Sequence, residues 1–151
     1  MTDKPIPAEG EITRLVGHRF PSGFYTVAHW ENFLLTECTG AALLPDGMVH
    51  PVALFHLPIT GAGTSIAEMF ALGQAESDLS IMIESYDWEI FLPLREEIRY
   101  GISGGIISAQ RCKNDQGKFY DRIQFCFEVH TPEEVLAART TITWHYTRNT
   151  L

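Results

Sequence analysis

Two histidines and an aspartate lie close together in a stretch rich in proline and glycine, and these side chains could transfer protons or bind water. Asp46 and His50 lie on the turn formed by residues 45–51, and His56 follows within the apolar run of residues 51–57. Histidine changes charge near physiological pH, so His50 is the candidate general base or water-binding group. Asp46 is its candidate partner, although an aspartate beside proline and glycine commonly forms a turn.

The start of the apolar run offers a second chemical possibility. Pro51 has no N–H and suits the first position of a helix, so the amides of Val52 and Ala53 are the first donors there. Donors at the positive end of a helix dipole can hydrogen-bond a carbonyl oxygen and stabilise developing negative charge. The structural alternative is a side-chain cap or solvation, which every helix start requires.

Metal chemistry is not predicted. His56 lies one and a half helical turns beyond His50, so the two side chains do not share a helix face. The three cysteines, Cys38, Cys112 and Cys126, have no metal-ligand spacing. Serine, cysteine and lysine form no recognisable nucleophile motif, and the glycines form no phosphate loop.

Composition excludes several classes of protein. The 151 residues fit one domain, and a formal net charge of −8 argues against a nucleic-acid partner. The odd number of cysteines is typical of a reducing compartment. We find no signal peptide and no apolar stretch long enough to span a membrane, which predicts a cytoplasmic protein.

The first half of the chain is predicted to be mainly helical. A flexible leader is expected over residues 1–12, one domain over residues 13–148, and a short strand over residues 24–28. A helix follows, because Trp30, Phe33, Leu34 and Cys38 have helical spacing; Gly40 ends it. A long, buried central helix should begin at Pro51 and be interrupted near Pro58, Gly61 and Gly63; a capping box from Ser65 to Glu68 should restart it.

The second half is predicted to be β structure. A strand is expected over residues 79–84, and residues 87–92 extend it or pair with it; after Pro93, strands are expected over residues 97–111, 118–130 and 135–147. Gly104 and Gly105 predict a bulge or a sharp coiling of the sheet. Helices followed by an antiparallel meander define an α+β fold, in which the sheet wraps the long central helix to bury its apolar side chains.

This layout resembles the hot-dog fold, and short motifs narrow the resemblance to the MaoC-like dehydratases. The matching segments are Val16-Gly17-His18-Arg19-Phe20, Val27 with Phe33, Glu37 and Gly40, Gly47-Met48-Val49-His50-Pro51, and Glu89 with Leu92-Pro93-Leu94-Arg95. They resemble the N-terminal dehydratase domain of fungal-type fatty acid synthases and (3R)-hydroxyacyl-ACP dehydratase subunits. The resemblance covers residues 14–148.

The resemblance implies (R)-specific hydration of an enoyl thioester, or the reverse dehydration. The substrate carrier would be CoA or acyl carrier protein, with no other cofactor, and the domain would pair with another hot-dog protomer as a homodimer or heterodimer. The apolar side chains along the central helix could then line an acyl tunnel or simply form core. They are Phe55, Ile59, Met69 and Phe70. The predicted substrate-binding residues are Val52, Ala53, Phe55, His56, Ile59 and Met69.

One departure from the family pattern bears on activity. Active members carry Asp-x-Asn-Pro-x-His on a loop after the first helix, whereas here Gly40 is followed by Ala41-Ala42-Leu43-Leu44-Pro45, so this loop is deleted. The favoured hypothesis is a subunit that binds the acyl thioester for a catalytic partner. One alternative is a self-sufficient hydratase or thioesterase that uses His50 with Asp46 or Glu37. The other is a non-enzymatic acyl-binding or assembly module.

Overall fold

A computed structural model describes residues 5–148 as short helices packed on one antiparallel sheet of five strands. The strand order is β1-β3-β4-β5-β2, so β1 and β2 are the edges. The helices are α1 (Glu9–Thr13), α2 (His29–Thr39), α3 (Leu57–Gly61) and α4 (Ile66–Leu72), with 3-10 helices at Pro45–Gly47, Pro51–Phe55 and Asp78–Ser80. The strands are β1 (Gly23–Thr26), β2 (Ile81–Ile90), β3 (Arg99–Lys113), β4 (Phe119–His130) and β5 (Leu136–Thr147).

The three long strands and the turns between them confirm the prediction for the second half. Asn114 closes the first turn, because its side-chain oxygen accepts hydrogen bonds from the amides of Gln116 and Lys118 at 2.9 Å each. The two segments predicted before Pro93 are one continuous edge strand, β2. Its ten residues pair with β5 over most of their length.

Alternation along β4 and β5 builds the core. Phe125 and Phe127 of β4 and Ile142, Trp144 and Tyr146 of β5 face the helices and are at most 2% exposed. Each such side chain removes a large apolar area from water, which is the main stabilising term in folding. The Tyr146 hydroxyl also donates to the carbonyl of Met69 at 2.6 Å, which ties α4 to the sheet.

The bulge lies close to the predicted glycines but not at them. The register between β3 and β4 shifts between Ile106 and Ser108, just beyond the glycine pair. Gly104 and Gly105 are required for a different reason: a Cβ at the first would clash with the Phe127 ring, and one at the second with the His18 carbonyl oxygen. The glycines therefore permit close packing rather than the extra residue.

The predicted long central helix consists of three short pieces. Residues 51–55 form a 3-10 helix, α3 follows directly, and α4 begins after Ser65, whose hydroxyl accepts from the Glu68 amide at 3.1 Å. Pro58 stands in the first turn of α3, where a missing N–H is tolerated. The break between α3 and α4 contains Gly63 with a φ of 78°, a backbone conformation that favours glycine.

The apolar side chains whose spacing predicted α2 do not face the core. Trp30 is 66% exposed, and Phe33 and Leu34 also lie at the surface, whereas Asn32 and Thr36 are buried. An apolar stripe usually faces the core, but here the hydrogen bonds of Asn32 determine which side of α2 packs inward. The apolar stripe of α2 is therefore exposed at the surface.

The N-terminal segment differs from the predicted flexible leader. Residues 1–4 lie outside the described part of the chain, but Glu9–Thr13 form α1 and Ile12 is fully buried. The Arg111 guanidinium donates to the carbonyl of Pro7 at 2.7 Å. This segment is thus attached to β3 by both apolar and polar contacts.

The same arginine, Arg111, belongs to a buried ion network. Asp121 accepts two hydrogen bonds from Arg111, at 2.9 and 3.0 Å, and one from Arg148 at 2.8 Å. Arg148 also donates to the carbonyls of Gln74, at 2.6 Å, and Gly73. The carboxylate is completely buried and is satisfied by two cations, so it orders the turn after α4.

We predict that Asp121→Asn lowers the free energy of unfolding by about 3–5 kcal/mol, because it leaves a buried arginine without its counter-ion. Urea denaturation at neutral pH measures this change. Glu128→Gln, which opens the exposed pair with Arg139, is the control and should cost less than about 1 kcal/mol. Equal losses in both variants would contradict this role of the buried network.

Candidate active site

The buried side chain of Asn32 joins α2 to the loop that precedes the 3-10 helix Pro51–Phe55. Its amide nitrogen donates to the Met48 carbonyl at 3.0 Å and to Glu96 Oε1 at 2.7 Å. Its oxygen accepts from the backbone N–H of His50 at 3.0 Å. Asn32 is 1% exposed, so these bonds are protected from water and determine where the loop lies.

The carboxylate of Glu96 forms the outer wall of this network. His29 Nδ1 lies 3.0 Å from both Glu96 oxygens. The hydrogen bond from Asn32 holds the pKa of Glu96 below its ordinary value of 4.5; burial opposes this shift, and His29 adds to it. Glu96 therefore remains ionised at neutral pH and serves as a structural acceptor.

His50 caps the 3-10 helix instead of offering a free base. Its Nδ1 accepts from the Val52 amide at 3.0 Å, and its carbonyl accepts from the Ala53 amide at 3.1 Å. Both predicted oxyanion donors are therefore engaged within the chain. This is the capping alternative, and it occupies the ring nitrogen that a base would need.

Asp46 lies in a turn and does not pair with His50. It adopts the left-handed conformation with a φ of 58°, its side chain is exposed, and its carbonyl accepts from Arg95 Nη1 at 2.8 Å. Among residues 5–148, no hydrogen bond joins Asp46 or the exposed Glu37 to His50. The structure thus brings neither predicted carboxylate to the predicted base.

A different carboxylate–histidine pair is present. Glu31 Oε1 lies 3.0 Å from His56 Nε2 and accepts a 2.6 Å hydrogen bond from the Tyr25 hydroxyl. The Tyr25 oxygen is 3.3 Å from the same ring nitrogen. The Glu31 side chain is only 15% exposed and that of His56 is 40% exposed, so the carboxylate lies behind an accessible imidazole.

Three separate elements supply this cluster, which is named the Tyr25–Glu31–His56 cluster. Tyr25 comes from edge strand β1, Glu31 from the first turn of α2, and His56 from the junction between the 3-10 helix and α3. The pKa of Tyr25 is raised to about 12, first by burial and then by the hydrogen bond and charge of Glu31. Tyr25 therefore remains a neutral donor to the carboxylate at physiological pH.

Sequence reasoning identified only His56 in this cluster, as a substrate-binding residue. Tyr25 and Glu31 are 31 and 25 residues away from it, and no motif connects them. The available signal was the alternation of β1, which places Tyr25 on the opposite face from Phe24 and toward the helices. The helical spacing of apolar residues indicates Trp30 and Phe33 and gives no signal for their polar neighbours, Glu31 and Asn32.

The predicted apolar binding residues have two different environments. Ile59 and Met69 are at most 4% exposed and belong to the core. Phe55 is half-exposed, and its ring lies 5.2 Å from that of Tyr86 and 4.9 Å from that of Trp88 on β2. Nearby, an apolar cavity of about 170 Å³ lies between the loop and the end of β2. Its lining includes Met48, Val49, Pro51, Leu54, Ile90 and Leu94.

The acidic and metal-binding side chains of residues 5–148 are dispersed. No group of three or more His, Cys, Asp or Glu side chains in this range is placed to hold a metal ion. The same residues contain no helix long and apolar enough to cross a membrane.

Comparison with known proteins identifies the fold. No family model and no curated protein matches the sequence. Among solved structures, the chain is similar to the ChsH1–ChsH2 complex from Mycobacterium tuberculosis, with a TM-score of 0.69, 11% identity, and coverage of 94% of this chain and 90% of that one. It is also similar to the HadBC (3R)-hydroxyacyl-ACP dehydratase complex from the same organism, with a TM-score of 0.66, 11% identity, and coverage of 89% and 98%.

A third similar structure is a thioesterase from Thermus thermophilus complexed with coenzyme A and zinc. Its TM-score is 0.51 at 10% identity, with coverage of 87% of this chain and 81% of that one. Together with the sheet and helices described above, these similarities confirm the predicted α+β hot-dog fold. Similar folds occur in a (3R)-hydroxyacyl-ACP dehydratase complex and in a thioesterase, so the fold alone does not determine the reaction.

We predict that Asn32→Leu lowers the free energy of unfolding by about 2–4 kcal/mol, because it leaves buried polar partners on the loop and at Glu96 unsatisfied. Chemical denaturation measures the loss. Glu37→Gln on the exposed side of the same helix is the matched control and should change stability by less than about 0.5 kcal/mol. A loss no larger than the control's would contradict the structural role of Asn32.

We also predict a pH dependence that arises from Glu96. Because folding lowers its pKa, its ionised form contributes stability above the ordinary value of 4.5, and that contribution disappears as pH falls through the lowered pKa. Wild type should therefore be more stable than Glu96→Gln at neutral pH, with the difference shrinking under acid conditions. Urea denaturation of both proteins across this range measures it; a difference that grew on acidification would have the wrong sign.

Proposed function

We propose that this chain binds an acyl thioester of CoA or acyl carrier protein as a subunit of an enoyl-thioester hydratase or 3-hydroxyacyl dehydratase. The observation that carries the proposal is the half-buried set of titratable side chains at the start of the central helical segment, where Glu31, His50 and His56 lie close to α2 and the 3-10 helix. The similarity to the HadBC (3R)-hydroxyacyl-ACP dehydratase complex over 89% of the chain supports it.

The proposed assembly contains a second hot-dog protomer. Strand β2 is an edge of the sheet, and large apolar side chains lie exposed along and beside it. We call this set the apolar edge: Leu79, Met82, Ile83, Ile90, Phe91 and Leu92. A long apolar edge strand offers unpaired backbone groups and unburied hydrophobic area, which favours pairing with another chain.

A second candidate function is substrate holding alone. The segment that follows α2 contains no Asp/His dyad, since Asp46 forms a turn and His50 caps the helix. In this version the partner protomer supplies the proton-transfer groups and this chain binds the acyl thioester. The alternative of a self-sufficient enzyme using His50 with Asp46 or Glu37 lacks the required contacts, and a purely structural module would not bind acyl thioesters.

Isothermal titration of the purified chain with crotonyl-CoA tests the proposal. Saturable binding of the thioester, weaker for free CoA, is expected if the acyl group occupies a site on this protein. Thioester binding that is no tighter than binding of free CoA, or no binding at all, would contradict the proposed function. Loss of enoyl absorbance in the same samples reports hydration separately from binding.

We predict that Ile83→Lys, at a side chain that is 64% exposed on the apolar edge, shifts the chain from dimer toward monomer. A charge in the contact would have to be buried without a partner, which is unfavourable. Sedimentation velocity measures the change. Val135→Lys, at an exposed apolar residue outside the apolar edge, is the control; a dimer unaffected by Ile83→Lys would place self-association elsewhere.

A further inference from the structure

The Tyr25–Glu31–His56 cluster determines which imidazole nitrogen is free. An ionised carboxylate only accepts hydrogen bonds, so the 3.0 Å contact with Glu31 places the hydrogen of neutral His56 on Nε2. The other nitrogen, Nδ1, then carries a lone pair. Within residues 5–148 no hydrogen bond engages Nδ1, and the side chain is 40% exposed. A carboxylate that orients a histidine in this way is the usual support for a general base.

The backbone and neighbours of His56 hold the ring in place. The His56 amide donates to the Ala53 carbonyl at 3.2 Å, and its own carbonyl accepts from Thr60 at 3.0 Å. The Tyr25 ring meets the imidazole edge-on at 5.9 Å between centroids. Tyr25 also donates to Glu31 at 2.6 Å, so one hydroxyl orients both the carboxylate and the ring. A ring fixed before substrate arrives loses little free energy to reorganisation.

We propose that His56 is the general base, and then the general acid, for addition of water to an enoyl thioester, with Glu31 and Tyr25 as its positioning residues. This inference rests on the proposed thioester binding and deepens it, because it places proton transfer on this chain. It selects the hydratase–dehydratase function over substrate holding alone. The site differs in residues and position from the predicted His50–Asp46 pair.

The proposed step conserves atoms and charge. Nδ1 of His56 accepts a proton from water while the water oxygen forms a bond to C3 of the enoyl group. The π electrons of the C2–C3 double bond move toward the thioester carbonyl and give an enolate. The imidazolium, stabilised by Glu31, returns the proton to C2. The product is the 3-hydroxyacyl thioester, His56 is neutral again, and dehydration follows the same path in reverse.

A buried donor without a partner lies against Phe55, the residue that precedes His56. Trp88 Nε1 and Thr140 Oγ1 are buried and have no hydrogen-bond partner among the described residues, and these two residues face each other across β2 and β5. The Phe55 ring, next to His56 in sequence, packs against Trp88. Buried donors without partners are uncommon in folded proteins. Trp88 Nε1 is therefore a candidate donor to a ligand bound in the region that the half-exposed Phe55 ring covers.

Hydration of crotonyl-CoA by the purified full chain tests the inference. Wild type should hydrate it, and His56→Ala should lose at least about 100-fold in kcat while still binding the thioester. Added imidazole should restore part of the lost rate, a response that a folding defect would not give. Glu31→Gln should lose about 10- to 100-fold and Tyr25→Phe less, and the matched control His130→Gln should retain the wild-type rate.

A spectroscopic readout tests the positioning role separately. In ¹⁵N NMR spectra, neutral His56 should be the Nε2–H tautomer in wild type and should become a mixture of tautomers in Glu31→Gln. Hydration that persists in His56→Ala would overturn the inference. So would tight thioester binding by wild type without turnover, which leaves the substrate-holding function standing. Absence of thioester binding would overturn both the inference and the proposed function.

Discussion

The buried amide of Asn32 is the interaction on which the candidate site depends. Three hydrogen bonds join it to Met48, His50 and Glu96, and an amide that gives up water to become 1% exposed requires all of them. Its burial turns α2 so that polar side chains face inward. As a result, the neighbouring residue, Glu31, lies close to His56, and the apolar side chains of the helix face outward. One buried side chain therefore influences both the polar cluster and the surface left for a partner.

Much of the fold could be predicted from sequence because it depends on local rules. Alternation along β4 and β5, the Asn114 turn and the glycine stop of α2 are all read within a few residues. The candidate site could be predicted only in part, because its contacts join residues far apart in the chain. Asp46 and His50 are close in sequence and do not pair, whereas Tyr25 and His56 are 31 residues apart and lie 3.3 Å from each other.

The outward orientation of the apolar side chains of α2 has a physical explanation that also applies to assemblies in general. Helical spacing of Trp30, Phe33 and Leu34 correctly indicates a helix, but it cannot distinguish an apolar face that covers the core of its own chain from one that covers a neighbour. The hydrogen bonds of Asn32 decide between these in the protomer. The exposed apolar side chains of α2 and of β2 suit the proposed pairing of two hot-dog domains, and two of the structures with a similar fold are complexes.

A crystal structure of the chain with a non-hydrolysable thioether analogue of crotonyl-CoA tests the account most directly. The account predicts that the acyl group lies against the imidazole of His56, with the carbon corresponding to C3 facing Nδ1 and the Tyr25–Glu31–His56 hydrogen bonds intact. An acyl group bound against His50, with the His56 side chain directed away from it, would contradict the account. It would indicate that the reaction takes place at the loop before Pro51.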